Sequence, residues 1–273
     1  MVLGGQLRRL RERGHISRES AGAAIRGSES KISRLELGRV SLKERDVADL
    51  LVLYGVTDHD ERAAFLTLVR ESNQPGWWQR YHDLLPRWFQ DYVGLEESAA
   101  RIQTYEMAFV PGLVQTESYA RAVVRRGLPD APDEEVERRV RLRMDRQRLL
   151  DDPAHRLWAV VDEAVLHRTV GGDDVMREQL AHLVDVTTRP NISVQVVPFR
   201  SGGSAAESSF TLLRFAEPEL PDVVYLEHLC GALYLDKQDE VEIYSKMAQR
   251  LAVEAETPDE SRRMLINVLH SIR

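Results

Sequence analysis

A single cysteine, Cys230, in 273 residues excludes a disulfide framework and any zinc site built from thiolates. Long apolar runs are missing as well. No window approaches the roughly eighteen consecutive apolar residues of a membrane-spanning helix. The opening stretch, residues 1–14, lacks the apolar core of roughly 7–15 residues that a secretory leader needs, so the expectation is a cytoplasmic protein. Glycines are not gathered into a phosphate-cradling loop of the P-loop or dinucleotide type, and no His/Cys/Asp spacing fits a metal. The nearest approach to a catalytic set is Asp162-Glu163 with His167, and His228 with Cys230. A Cys/His nucleophile needs its base beside the thiolate and an oxyanion hole, and neither is legible here. Cys230, in an apolar run, reads as a buried small hydrophobe in a strand. The expectation is a protein with no catalytic role, no cofactor and no metal.

What is present is charge, unevenly spread. The whole chain carries a formal −7, which by itself argues against an anionic partner. Residues 1–56 nevertheless hold eleven Lys/Arg against seven Asp/Glu, so they are +4. Residues 57–273 are then −11, from 26 basic and 37 acidic side chains. A basic first fifth on an acidic body is the asymmetry of a chain with an anionic partner at one end.

Hydrophobic periodicity divides the chain in the same way. Leu3, Leu7 and Leu10 make one stripe of a first helix that stops at Gly14-His15. Ser17 caps a second helix to about Ile25, Ser28 a third to Leu37 with Gly38 as its stop, and Ser41 with Glu44 makes a capping box for a fourth to Tyr54. Asp58 caps a fifth, to about Ser72. Beyond the turn cluster 73–76 lie six of the chain's eighteen aromatics, Trp77, Trp78, Tyr81, Trp88, Phe89 and Tyr92, which read as core joining two domains. Then the period changes. Short extended pieces are predicted at 101–105, 109–110, 157–161, 192–197, 210–215, 223–229 and 232–235, with helices at 118–126, 133–150, 173–187, 240–255 and 259–272. Short connections make the last strands antiparallel. The loop 201–209 is the expected mobile element. The fold class is therefore an all-α five-helix domain followed by a mixed α+β domain. We take 1–72 as the first, 73–92 as an aromatic-rich connector, and 93–273 as an effector, partner or dimerisation domain.

The segment from Ile16 to Gly38 reads as two short helices crossing steeply over a tight turn. Ala21, Gly22 and Ala24 supply the small contact face, and Ile25, Ile32 and Leu35 the apolar lock. That leaves Glu29, Ser30, Ser33 and Arg34 facing outward on helix 28–37, where a recognition helix meets base edges in the major groove. Arg18, Ser28, Lys31, Arg39 and Lys43 are the candidates for phosphate. On helix 133–150, arginines interleaved with acids read as a solvated face with i,i+4 pairs.

Residues 3–56 resemble the helix-turn-helix domain of the Cro/CI-like (xenobiotic-response-element) regulators. The resemblance rests on Ser28-Glu-Ser-Lys-Ile-Ser-Arg-Leu-Glu-Leu-Gly38 and Leu7-Arg-Arg-Leu-Arg-Glu12. Nearly the whole chain is similar to the actinobacterial, WhiJ-like branch, through Leu50–Val56, Trp77-Trp78, Val110–Thr116 with Tyr119-Ala-Arg121, and Gly231–Asp236. The resemblance implies a five-helix fold that binds double-stranded DNA as a homodimer to regulate transcription, and gives Glu36 a structural role tying helices together. It also implies a small BldB-type protein partner. The alternative is an antitoxin-like protein that holds such a partner, with DNA binding serving autoregulation. Two departures stand out. His15 occupies the place of the family's glycine after helix one, at a modest strain cost. Arg18-Glu-Ser20 replaces the family's early acid or glutamine pair in helix two.

Overall fold

The computed structural model describes residues 2–36, 42–73, 76–201, 206, 208–216 and 220–272. Backbone proximity divides the chain into two units, Met1–Gln79 with Ala216–Pro221, and Arg80–Phe215 with Asp222–Arg273.

The first unit is helical among its described residues: α1 (Val2–Arg13), α2 (Arg18–Ala24), α3 (Glu29–Glu36), α4 (Glu44–Leu53) and α5 (His59–Ser72). The leucine stripe of α1 enters the core as predicted, where Leu3 and Leu7 meet Ala21, Ile25, Ile32, Leu35, Val47, Leu50 and Phe65. Ala24 does not join Ala21 and Gly22 in that core. It is exposed, because α2 ends there and its side chain falls outside the buried stripe. Three caps foreseen in the sequence are made: Ser17 Oγ accepts from Ser20 N–H at 3.0 Å, Ser28 Oγ from Lys31 N–H at 3.2 Å, and Asp58 Oδ1 from Glu61 N–H at 2.8 Å. Gly38, Arg39 and Ser41, with the Ser41 capping box, lie outside the described residues, as does most of the loop 201–209.

The same device closes α1, α2 and α4. In each, a residue at positive φ follows the last turn, and two backbone N–H groups reach back to carbonyls of that turn. His15 has φ 53° and its N–H meets Glu12 O at 3.0 Å, while Ile16 N–H meets Arg11 O at 3.0 Å. Arg26 (φ 52°) and Gly27 repeat the pattern on Ala23 O and Gly22 O, and Gly55 (φ 81°) and Val56 on Val52 O and Leu51 O. The strain anticipated at His15 is therefore present, and a second instance sits at Arg26, beside Gly27.

In the second unit α6 (Arg87–Ser98) precedes β1 (Arg101–Glu106). Then come α7 (Glu117–Gly127), α8 (Asp133–Gln147), β2 (Arg156–Asp162), α9 (Glu163–His167), α10 (Asp173–Val186), β3 (Ile192–Val197), β4 (Phe210–Arg214), β5 (Val223–His228), β6 (Gly231–Leu235), α11 (Gln238–Glu254) and α12 (Pro258–Ser271). The strands form one mixed sheet in the order β3-β2-β1-β4-β5-β6. β1, β2 and β3 run parallel, while β4, β5 and β6 pair antiparallel, joined to the parallel half through β1 and β4. One face buries Ile102, Leu157, Ala159, Val161, Val194, Val196 and Tyr225 against α7, α9, α10 and α12. The other packs Tyr105, Val160, Phe210, Leu212 and Val224 against Ala248 and Leu251 of α11.

Two readings are corrected and one element is added. Residues 109–110 are not extended into a strand; a 3-10 turn at Gly112–Val114 follows them. The aromatic stretch contains α6, which buries Tyr92, Val93 and Glu96 on one side. Cys230 is exposed rather than buried, because the pairing of His228 with Gly231 leaves Leu229 and Cys230 as a two-residue hairpin turn. No helix among the described residues is long and apolar enough to cross a membrane, and none of their His, Cys, Asp and Glu side chains gather as a metal-binding group.

Candidate nucleic-acid interface

The geometry of residues 16–36 follows from small side chains and one buried carboxylate. A Cβ on Gly22 would stand 3.0 Å from the Ser28 carbonyl carbon and 3.2 Å from Glu29 N, so glycine there lets α2 approach the start of α3. With Ile32, Leu35 and Glu36 turned inward, the opposite side of α3 is left to solvent. Ser28, Glu29, Ser30 and Arg34 are exposed and Ser33 half-buried, which gathers the four predicted base-reading residues on one surface. Arg34 lies along the helix, its Nε donating to Ser30 O at 3.2 Å.

Glu36 is the electrostatic centre of this unit. Its side chain is 2% exposed and takes Arg11 Nε on Oε1 at 2.5 Å and Arg11 Nη2 on Oε2 at 3.1 Å. Arg18 Nε adds a third bond to Oε2 at 3.2 Å. Arg11 also donates to Ile16 O at 2.9 Å, so one guanidinium ties α1, the first turn and α3 together. The hydrogen bond to Glu36 raises the Arg11 pKa above its ordinary value against the penalty of burial. Burial, reinforced by the negative charge of Glu36, pushes Tyr54 up to about 12. The structural role given to Glu36 is the one it has.

The phosphate candidates fare differently from one another. Ser28 and Lys43 are exposed at the starts of α3 and α4. Arg18 is shared with Glu36, its side chain 35% exposed. Lys31 reaches across to α4, where Nζ pairs with Asp46 Oδ2 at 2.6 Å. Arg39 lies outside the described residues. Sequence reasoning missed Arg11 and Asp46 as the partners that fix this surface. For Arg11 the signal was available, since a helix with arginines all round that also carries a buried stripe must bring one of them to its edge.

The arginine-rich helix α8 bears out the solvated, i,i+4-paired face only in part, because Arg146 is buried and Arg143 half-buried. Arg139 pairs with Glu135 and Arg148 with Asp145 at the i,i+4 and i,i+3 spacings, while Arg138 reaches Asp83 at 2.7 Å. Arg146 is buried and makes a two-pronged bond to Glu96 at 2.8 Å and 2.8 Å, its guanidinium over the rings of Phe89 and Tyr92.

No curated protein matches the chain, and no solved structure does. Two family models do. Residues 2–65 match a helix-turn-helix domain, in agreement with the five helices described above. Residues 89–267, well over half the chain, match the domain of unknown function DUF5753, and the chain therefore belongs to the DUF5753 family, with a helix-turn-helix domain at its amino-terminal end.

Proposed function

We propose that this protein is a sequence-specific DNA-binding regulator of transcription that reads the major groove with α3. The observation that carries the reading is the exposed side of α3. It places Ser30, Ser33 and Arg34 together, with Glu29 at the helix start, on a domain whose local charge is positive within an acidic chain. Arg34 has the fork that suits guanine, and the serines reach bases or phosphates. Arg18 spends one N–H on Glu36 and retains its other donors for the sugar-phosphate backbone. Ser28 and Lys43 serve the same purpose, as does Lys31 once released from Asp46, with Arg39 completing the set. A homodimer would set two such helices about one turn of duplex apart on a pseudo-palindrome.

The test is gel-shift or anisotropy binding on operator DNA selected with the full-length protein. Arg34→Ala weakens specific binding by about 1–3 kcal/mol and relaxes preference at one base position. Arg18→Ala weakens all sequences alike and flattens the salt slope by about one unit. Unchanged operator affinity in Arg34→Ala would remove α3 from the interface.

A further inference from the structure

Pairing register lines up one side chain per strand into rows across a sheet face. Thr104, Thr211, Tyr225 and Tyr234 form such a row across β1, β4, β5 and β6. It lies on the face where Tyr225 stacks on Tyr92 at 4.1 Å beneath Arg146 of α8. Carried one pair of residues further, the register sets Glu106, Ser209, Glu227 and Ala232 in the next row, at the carboxyl end of β1. Met107 N–H donates to Ser209 Oγ at 3.3 Å, Ser209 hydrogen-bonds the Glu106 carboxylate, and Tyr225 OH donates to Glu227 at 2.8 Å. Arg143 stands three residues before Arg146 on α8, within reach of the charges of Glu106 and Glu227.

No ion pair joins Glu106 or Glu227 to Arg143 among the described residues, and Glu227 is exposed. Arg138, Arg139, Arg146 and Arg148 of the same region all have carboxylate partners, and Arg141 is exposed. Arg143 is half-buried, and its hydrogen bond goes to the neutral Oε1 of Gln115 at 3.0 Å. Gln115 is held for that purpose, its Nε2 on Val110 O at 2.7 Å and its own carbonyl taking Gln147 Nε2 at 2.7 Å. Glu106 is half-buried with no cation in ion-pair range among the described residues. Burial pushes the Glu106 carboxyl up to about 7, with Ser209 opposing and Glu227 adding to the rise. Burial, with Arg146 adding to it, pulls the Arg143 guanidinium down to about 10. Arg143 feels the charges of Glu106 and Glu227 without a direct ion pair to either among the described residues, and half-buried ionisable groups left so mark sites that a ligand completes. The row also lies where the sheet changes from parallel to antiparallel, outside the carboxyl end of a parallel strand, the position at which open α/β sheets take ligands.

We propose that Glu106, Arg143, Ser209 and Glu227 bind a small zwitterion of the α-amino-acid class. Its carboxylate pairs with Arg143 and its ammonium lies between Glu106 and Glu227, with Ser209 as a further hydrogen-bonding group. Two acids and one guanidinium repel a phosphate dianion. A simple amine leaves Arg143 unmatched, and a simple carboxylate leaves both glutamates unmatched. This site stands independently of DNA recognition by α3.

The experiment is thermal unfolding of the full-length protein at pH 7 with each of the twenty free L-amino acids, with methylammonium and acetate as half-ligands. Any hit is then titrated calorimetrically. At least one amino acid raises the midpoint saturably, by about 5 °C at a concentration ~100-fold above its Kd, and neither half-ligand does. Arg143→Met and Glu106→Gln keep the side-chain volume and weaken that ligand at least tenfold, and Ser209→Ala weakens it less. The proposal is overturned if no amino acid moves the wild-type midpoint, if a half-ligand alone matches the effect, or if the charge-removing variants that fold retain the wild-type response.

Discussion

Replacing Glu36 by glutamine removes a buried negative charge on which two arginines converge, and the size of the effect can be worked from the contacts. Glu36 takes three hydrogen bonds, two from Arg11 and one from Arg18, and the Arg11 and Glu36 side chains are 8% and 2% exposed. Breaking a buried pair from one side costs about 3–5 kcal/mol, because the surviving charge is left desolvated. The exposed surface pairs of this chain belong to a different class, worth about 0–1 kcal/mol. The glutamine side chain keeps one acceptor but sets an amide N–H₂ against a guanidinium, so the lower end of the range, about 3 kcal/mol, applies. Trp77 and Trp78 fall in the first unit and Trp88 and Trp158 in the second, so a fluorescence melt mixes the two. Native-state hydrogen exchange in the full-length protein, followed in peptides from α1 and α3, reads the right one. Glu36→Gln accelerates exchange there by roughly 100-fold or more, and leaves α10 and β2 unchanged. The pairing of Arg11→Met with Glu36→Leu restores most of the protection, since a matched apolar replacement leaves no buried charge behind. Less than tenfold acceleration in Glu36→Gln, or a double variant as poor as the single one, would show that packing and not this ion cluster holds α1 to α3.

Three further outcomes follow from particular positions. Arg26→Gly relieves a left-handed backbone at the end of α2 and stabilises the domain by about 0.5–1 kcal/mol in urea unfolding; a loss of stability would refute the strain assigned to φ 52°. Gly4→Ala should destabilise by more than 1 kcal/mol although alanine gains about that much in helix propensity, because its Cβ would lie 2.3 Å from Leu35 O; a stabilised variant in the same assay would show that α1 can shift away from α3. Glu106, lifted by burial from 4.5 to about 7, retains a proton in the folded chain that the unfolded chain has already lost. Its stabilising contribution is full below about pH 4.5 and disappears as pH rises through about 7, an effect of at most about 3 kcal/mol. Wild type therefore loses stability between pH 5 and 8 relative to Glu106→Gln, and parallel stability curves for the two proteins would refute the burial argument.

Much of the five-helix domain was legible because its signals are local. Ser17, Ser28 and Asp58 are caps that act within three residues, and Leu3 and Leu7 declare their stripe by spacing alone. The exposed set on α3 followed from the same periodicity, since fixing Ile32 and Leu35 inward leaves Ser30, Ser33 and Arg34 elsewhere. Lys31 and Arg18 were harder. Their partners, Asp46 and Glu36, stand 15 and 18 residues away, and a long cation reads as solvent-facing until the fold supplies a carboxylate. In the second unit Ile192–Val197 showed itself by alternation. Helix α6 was hidden because its aromatic residues weaken helix propensity and its buried Glu96 breaks the apolar stripe, being neutralised by Arg146 from 50 residues away. Cys230 was misplaced for a related reason: an apolar Leu-Cys dipeptide gives none of the Asn-Gly punctuation that usually announces a two-residue turn.

The sheet has a consequence for how the chain must assemble. Arg101, the first residue of β1, lies beside Arg156 on one side and Arg214 on the other, so a single strand joins partners from distant parts of the chain. The β5–β6 hairpin closes across two residues and can form early, whereas β1 waits for both α7–α8 and everything up to β4 to be made. Until then a nascent chain carries an uncompleted strand with two open edges. Folding of the carboxyl-terminal unit is thus gated by the arrival of β4, whereas the five helices that precede residue 73 can pack earlier and receive Leu220 on their core only later.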